Sequence, residues 1–141
     1  MKVENIEKLE RYFMLNPTYH GEPSSEIAVQ NAEKVLNLEF NSSYKEILER
    51  FGGCFIGIDI HGLSNAPIQG NETVIDLTLM FRKNLSDSEQ FQNYLVIGDD
   101  GSGNSILVSN RDDNIFIYYH DEQSLEKLFS SFDEIVEKYV D

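Results

Sequence analysis

The sequence predicts an α+β fold, with N-terminal helices packed on a mixed or antiparallel sheet that holds a β-meander, followed by a C-terminal helix. Three observations lead there. Apolar residues recur at helical spacing in the first third of the chain, alternate in the middle, and return to helical spacing at the end. Two turn-forming stretches rich in Gly, Asp and Asn separate short apolar runs between residues 94 and 120. Finally, the 141 residues are 40% hydrophobic and include nine Phe and seven Tyr. A chain of that size shrinks from roughly 23,000 Å² extended to roughly 7,400 Å² folded. One domain over 1–141 can therefore form a core without a disulfide or a metal.

Taken in order, Ile6, Leu9 and Phe13 make a helical stripe over 3–15. His20-Gly21-Glu22-Pro23 breaks the chain. Ser24 or Ser25 then caps a second helix with Ile27, Ala28, Ala32, Val35 and Leu36 on its apolar face. After a linker from Asn37 to Asn41, Ser43 and Glu46 have the spacing of a capping box, and Tyr44, Ile47, Leu48 and Phe51 follow as an i, i+3, i+4, i+7 stripe. Gly52-Gly53 stops that helix. Ile56, Ile58 and Ile60 alternate with polar or small residues, the pattern of a half-buried strand. Gly62 to Asn71 is a loop. Residues 72–84 fit both a helix and a strand, and Glu72 early with Arg82 and Lys83 late favours the helix. Tyr94–Gly98, Ser105–Ser109 and Ile115–His120 read as three strands of a meander, joined by turns at 99–104 and 110–114. A last helix carries Leu125, Leu128, Phe129, Phe132, Ile135, Val136 and Tyr139, with Ser131-x-x-Glu134 marking a break or restart inside it.

Charge narrows the function. Eleven Lys and Arg face 25 Asp and Glu, a net charge of −14. Such a chain repels phosphate backbones and anionic lipid surfaces, so neither nucleic acid nor membrane is an expected partner. A basic protein is, because opposite fields steer encounter. The N-terminal MKVENIEKLE lacks the apolar stretch of a signal peptide, and no apolar run approaches a membrane span, so a cytoplasmic protein is expected. The single cysteine, Cys54, sits in an apolar run and reads as a buried structural thiol.

No motif for catalysis or cofactor binding emerges. The glycines Gly98, Gly101 and Gly103 are followed by a strand rather than a helix and share their loop with two carboxylates, which suits a turn needing positive φ and not a phosphate loop. Asp99, Asp100, Ser102 and Asn104 are oxygen donors, but the distal Glu and flanking helices of an EF-hand are missing. His20, His61 and His120 lack zinc-ligand spacing. A hydrolase built on Asp59-x-His61, or on His120 beside Asp121, would need a nucleophile in reach, and there is no Gly-x-Ser-x-Gly elbow. The expectation is a non-enzymatic protein without metal or cofactor. The meander also brings the 99–104 turn and the chain beyond residue 120 to one end. Asp99, Asp100, Asp121 and Glu122 should gather there, with Tyr118 or Tyr119 as an aromatic anchor, and a basic partner would relieve their mutual repulsion.

The order of elements resembles the SUKH superfamily, which includes the fungal Smi/Knr cell-wall regulators and many bacterial immunity proteins. Ile27, Ala32, Glu33 and Leu36 are similar to its opening helix. Phe40 to Leu48, ending at Phe51-Gly52-Gly53, stands where the family has Leu-Pro-x-x-Tyr-x-x-x-Leu and Asn-Gly-Gly. Ile60-His61-Gly62-Leu63, the hairpin Tyr94 to Asn104, and Ser130-Ser131-Phe132-Asp133-Glu134-Ile135 resemble the remaining motifs. The departures are Phe40-Asn41 for Leu-Pro and Phe51 for Asn. The resemblance implies an α+β domain without enzymatic activity that binds a protein: a cognate toxin, often a nuclease and hence basic, or, as in the fungal branch, a signalling partner.

Overall fold

In the computed structural model, which describes residues 1–141, three helices come first: α1 (Val3–Leu15), α2 (Glu26–Leu36) and α3 (Ser42–Phe51). A two-stranded hairpin follows, β1 (Cys54–Phe55) with β2 (Asp59–Ile60), and then α4 (Val74–Asn84). The strands β3 (Tyr94–Asp99), β4 (Ser105–Ser109), β5 (Ile115–Tyr119) and β6 (Ser124–Phe129) form an antiparallel sheet in sequential order, and α5 (Phe132–Tyr139) closes the chain. The class is α+β, as expected, and both sheets are antiparallel. The accessible surface is 7631 Å², close to the size-scaling value of roughly 7,400 Å².

Local signals explain most helix ends. The Ser25 hydroxyl accepts from the Ala28 amide at 3.1 Å, and Asn37 closes α2 in the left-handed conformation. Thr73 and Asp76 form a reciprocal capping box at the start of α4, and the ambiguous stretch 72–84 is helical from Val74 on. The Ser131 hydroxyl accepts from the Glu134 amide, so Ser131-x-x-Glu134 starts α5. The expected Ser43–Glu46 box does not form. Asn41 caps α3 instead, accepting from the Ser43 and Tyr44 amides, while Glu46 pairs with the N-terminal amine and Arg50.

Tertiary packing overrides other expectations. In α2 the buried stripe is Val29, Ala32 and Leu36, and Ile27 and Val35 are exposed. The alternating run 56–60 is not one strand: it folds back at Gly57, where φ is +89° and the Tyr139 ring leaves no room for a Cβ. Residues 124–129 form β6 rather than the front of the last helix. The outer edge of β5 offers unpaired backbone groups, and pairing them outweighs the weak helical preference of Ser-Leu-Glu-Lys-Leu-Phe. The meander thus has four strands. Its third stops at Tyr119, one residue earlier than expected.

One face of the large sheet carries the main core. Leu95, Ile97, Ile106, Val108, Ile115, Ile117 and Phe129 pack with the apolar faces of α1, α2, α3 and α5. Tyr44 lies fully buried at its centre, stacked on Phe132 with centroids 6.1 Å apart. On the opposite face a smaller cluster of Phe91, Val96, Leu107 and Tyr118 packs with Leu77 and Phe81 of α4. Two bonds join the layers at β3. The Thr78 hydroxyl on α4 accepts from the Val96 amide at 3.0 Å, and the His61 amide after β2 donates to the Ile97 carbonyl at 2.6 Å beside a bulge in β3. No helix is long and apolar enough to cross a membrane.

Candidate functional site

The β3–β4 turn is built from its own side chains. The Asp99 carboxylate accepts from the Gly101 amide at 2.8 Å. Asp100 accepts from the amides of Ser102 and Asn104 and from the Asn104 side chain at 2.9 Å. The Asn104 side chain and then these amides hold the Asp100 carboxyl below the usual range. Gly101 and Gly103 both have positive φ, as a turn requires, whereas Gly98 lies in β3 against the Asp59 carbonyl. Asn104 also reaches the next turn, accepting from the His120 amide at 3.2 Å.

That contact brings the two acidic turns to one end of the sheet. His120 Nδ1 stands 3.1 Å from the Asp121 carboxylate. Burial and then the charges of Glu126, Asp100 and Glu122 push the Tyr119 phenol up. The turns that carry Asp99, Asp100, Asp121 and Glu122 therefore share one end of the sheet, and Glu126 stands near Tyr119 with Asp100 and Glu122. Glu126 was missed because residues 124–129 read as helix. Tyr119 is half-buried against the main core, and Tyr118 is buried on the other face beneath α4.

Beside this acidic end runs a groove of about 870 Å³ between α4 and the outer face of the sheet. Its floor is a cluster of three rings. Phe81 meets Phe91 and Tyr118 edge-on with centroids 5.4 Å away in each case, and Phe91 meets Tyr118 at 5.3 Å. Leu77 and Met80 of α4 form one wall and Leu125 of β6 stands on the other. Glu72, Asp87 and Asp99 lie at its rim, and no Lys or Arg lines it. Of the residues chosen from the sequence, Asp99 and Tyr118 line the groove, while Asp100, Tyr119, Asp121 and Glu122 lie outside its lining. The α4 wall and Leu125 were not legible as a site, because nothing local indicates which helix face meets the sheet.

The remaining polar groups are engaged structurally. Arg82 turns away from the groove and donates to the Leu36 carbonyl at the C-terminus of α2, 2.8 Å away, a contact the helix dipole favours. Asp59 accepts from Gln69 at 3.2 Å, and His61 Nδ1 lies 2.6 Å from the Glu72 carbonyl. Cys54 is fully buried, and burial followed by Asp59 pushes its thiol up to about 12. No group of three or more His, Cys, Asp or Glu side chains is placed to hold a metal ion.

Residues 23–138 match the SMI1 / KNR4 family (SUKH-1). The chain belongs to that family. A comparison with curated proteins gave no match. In this SUKH-1 domain the matched span runs from just before the α2 cap to Lys138 in the last turn of α5 and omits α1. Its motif residues serve packing. Gly53 and Gly62 lie back to back, each occupying the space a Cβ on the other would need. The Gly53 amide donates to the Ser64 carbonyl at 2.7 Å, and its carbonyl accepts from the Gly21 amide at 2.8 Å. Apart from exposed Ile27 and the Tyr94–Asn104 hairpin, the apolar and glycine residues that carry the SUKH resemblance hold the fold and leave the groove to residues outside the motifs.

Proposed function

We propose that this SUKH-1 chain is a non-enzymatic immunity protein, acting in the cytoplasm, that neutralises a cognate toxin by direct binding. The acidic end of the meander would cover the basic active site of a toxin such as a nuclease. The observation that carries this reading is the placement of Asp99, Asp100, Asp121 and Glu122 at one end of the sheet, beside a groove that no Lys or Arg lines. Like charges gathered at one end destabilise the free protein and are relieved when a basic surface arrives. Such a pairing also speeds encounter.

The test is co-purification with the C-terminal domain of the protein encoded immediately upstream, followed by calorimetry and stopped-flow association at two salt concentrations. Tight binding that weakens with salt supports the reading. Asp121→Lys with Glu122→Lys reverses two charges without touching the bonds that hold the 99–104 turn. It should slow association roughly tenfold at low salt and flatten the salt dependence. Unchanged kinetics would remove this end from the interface. Absence of binding by a folded partner domain would favour the Smi/Knr-like alternative, a regulatory scaffold for a different protein.

A further inference from the structure

The ion pairs that Lys, Arg and the N-terminal amine make in this protein are sorted. Every ion pair made by a Lys, an Arg or the N-terminal amine joins α1, α2, α3, α5 or the residues just before α1. On the groove side, Glu72, Asp87 and Asp99 form no ion pair, and Asp99 uses only one carboxylate oxygen, for the Gly101 amide. Between them lies apolar surface that a monomer leaves wet: Met80 is 50% exposed and Leu125 38%. Below both sits the Phe81–Phe91–Tyr118 cluster, already packed ring to ring and needing no rearrangement to receive a side chain.

We propose that the groove between α4 and the outer face of the sheet is a receptor for a short basic segment of the partner, in which Lys or Arg residues flank one aliphatic or aromatic side chain. The apolar side chain covers Met80, Leu125 and the ring cluster. The flanking cations meet Glu72 and Asp87 on the α4 side and Asp99 on the sheet side. A neutral apolar segment would leave three carboxylates beside a dry contact without partners, and an acidic one would be repelled. This rests on reading the acidic side of the molecule as its partner-binding face. It adds that the partner inserts a segment of defined chemistry rather than presenting a flat basic surface.

The experiment is selection of short random peptides displayed on phage against the intact protein, with counter-selection on the double variant Met80→Lys, Leu125→Lys. Both positions are exposed, so the variant should fold, and circular dichroism checks this. Enriched peptides are synthesised, titrated by fluorescence anisotropy and mapped by amide NMR shifts. The expected peptides carry at least two basic residues around one large apolar side chain. Their affinity should fall at least roughly tenfold in the variant, through lost apolar contact and added repulsion, and should fall further between about 50 and about 300 mM salt. Peptides without basic residues, equal binding to the variant, shifts confined to α1, α2 or α3, or no enrichment would each overturn the proposal. The toxin takes no part in this selection. Groove-binding peptides together with a toxin domain that fails to bind would reject immunity and keep the groove. A toxin bound equally by the variant, with no peptides enriched, would do the reverse.

Discussion

Thr78 is the residue whose replacement most directly tests how the α4 wall is held. It is fully buried, and its hydroxyl accepts from the buried Val96 amide at 3.0 Å. Val96 lies on the edge of the sheet, since β3 has β4 on one side and only the two-residue β2 near the other. Thr78→Val keeps the shape and leaves that N–H buried without an acceptor. A buried unsatisfied donor costs about 1–3 kcal/mol. Thr78→Ser keeps the oxygen and loses one methyl, about 1 kcal/mol. With about 2.1 cal/mol/K of unfolding entropy per residue, a loss of about 2 kcal/mol in a chain of this length lowers Tm by about 7 °C. Urea denaturation should therefore rank the valine variant below the serine variant, although valine is the more apolar. Native-state hydrogen exchange should show the Val96 amide losing more protection than Leu107 opposite it in β4. A valine variant as stable as wild type, or more stable than the serine variant, would refute the assignment of this bond as the anchor of α4.

Asn41 caps α3 and also donates to the Asp112 carbonyl and the Asp113 carboxylate, both at 2.9 Å. Asn41→Ala should cost about 2–3 kcal/mol in urea denaturation, of which the cap accounts for about 1 kcal/mol. Asn41→Asp keeps the cap but faces Asp113 with like charge, so it should remain at least about 1 kcal/mol below wild type. Cys54 has a native pKa of about 12 against a reference value of 9.0. The native state therefore keeps a proton that the unfolded chain releases first. The stability linked to it is complete below pH 9.0 and is lost as pH rises towards about 12. At pH 8 a thiol reagent should label Cys54 only through unfolding, and rapid labelling of the native protein would contradict its burial. Cys54→Val should flatten the alkaline loss.

Much of the architecture was legible because its causes are local. The stripes of α1 and α3, the Gly52-Gly53 stop, the caps at Ser25 and Ser131 and the Asp-rich turn at 99–104 depend on residues within one helical turn or one hairpin. The errors share a different cause. Ser43–Glu46 has capping-box spacing, yet Asn41 two residues earlier caps the helix, which puts Ser43 inside its first turn, and Asn41 is held in place by Asp112 and Asp113 from the far end of the sheet. Ile27 and Val35 fit the helical period of α2, yet neighbouring elements meet the side that carries Val29. Leu125 and Leu128 mimic a helix stripe until β5 needs a partner.

The candidate site divides in the same way. That Asp99, Asp100, Asp121 and Glu122 share one end followed from counting strands, because a meander reverses direction at each turn. The groove followed from nothing local. It exists because Thr78 and Arg82 seat α4 at one edge of the outer sheet face and leave the β5–β6 side of that face uncovered. The sequence by itself determined most of the elements, their order and the acidic balance, since caps, periods and charges are properties of neighbouring residues. Only the tertiary structure decided the fourth strand, the seat of α4 and the groove that no Lys or Arg lines. Those depend on which distant backbone groups and apolar faces remain unsatisfied once the local elements have formed.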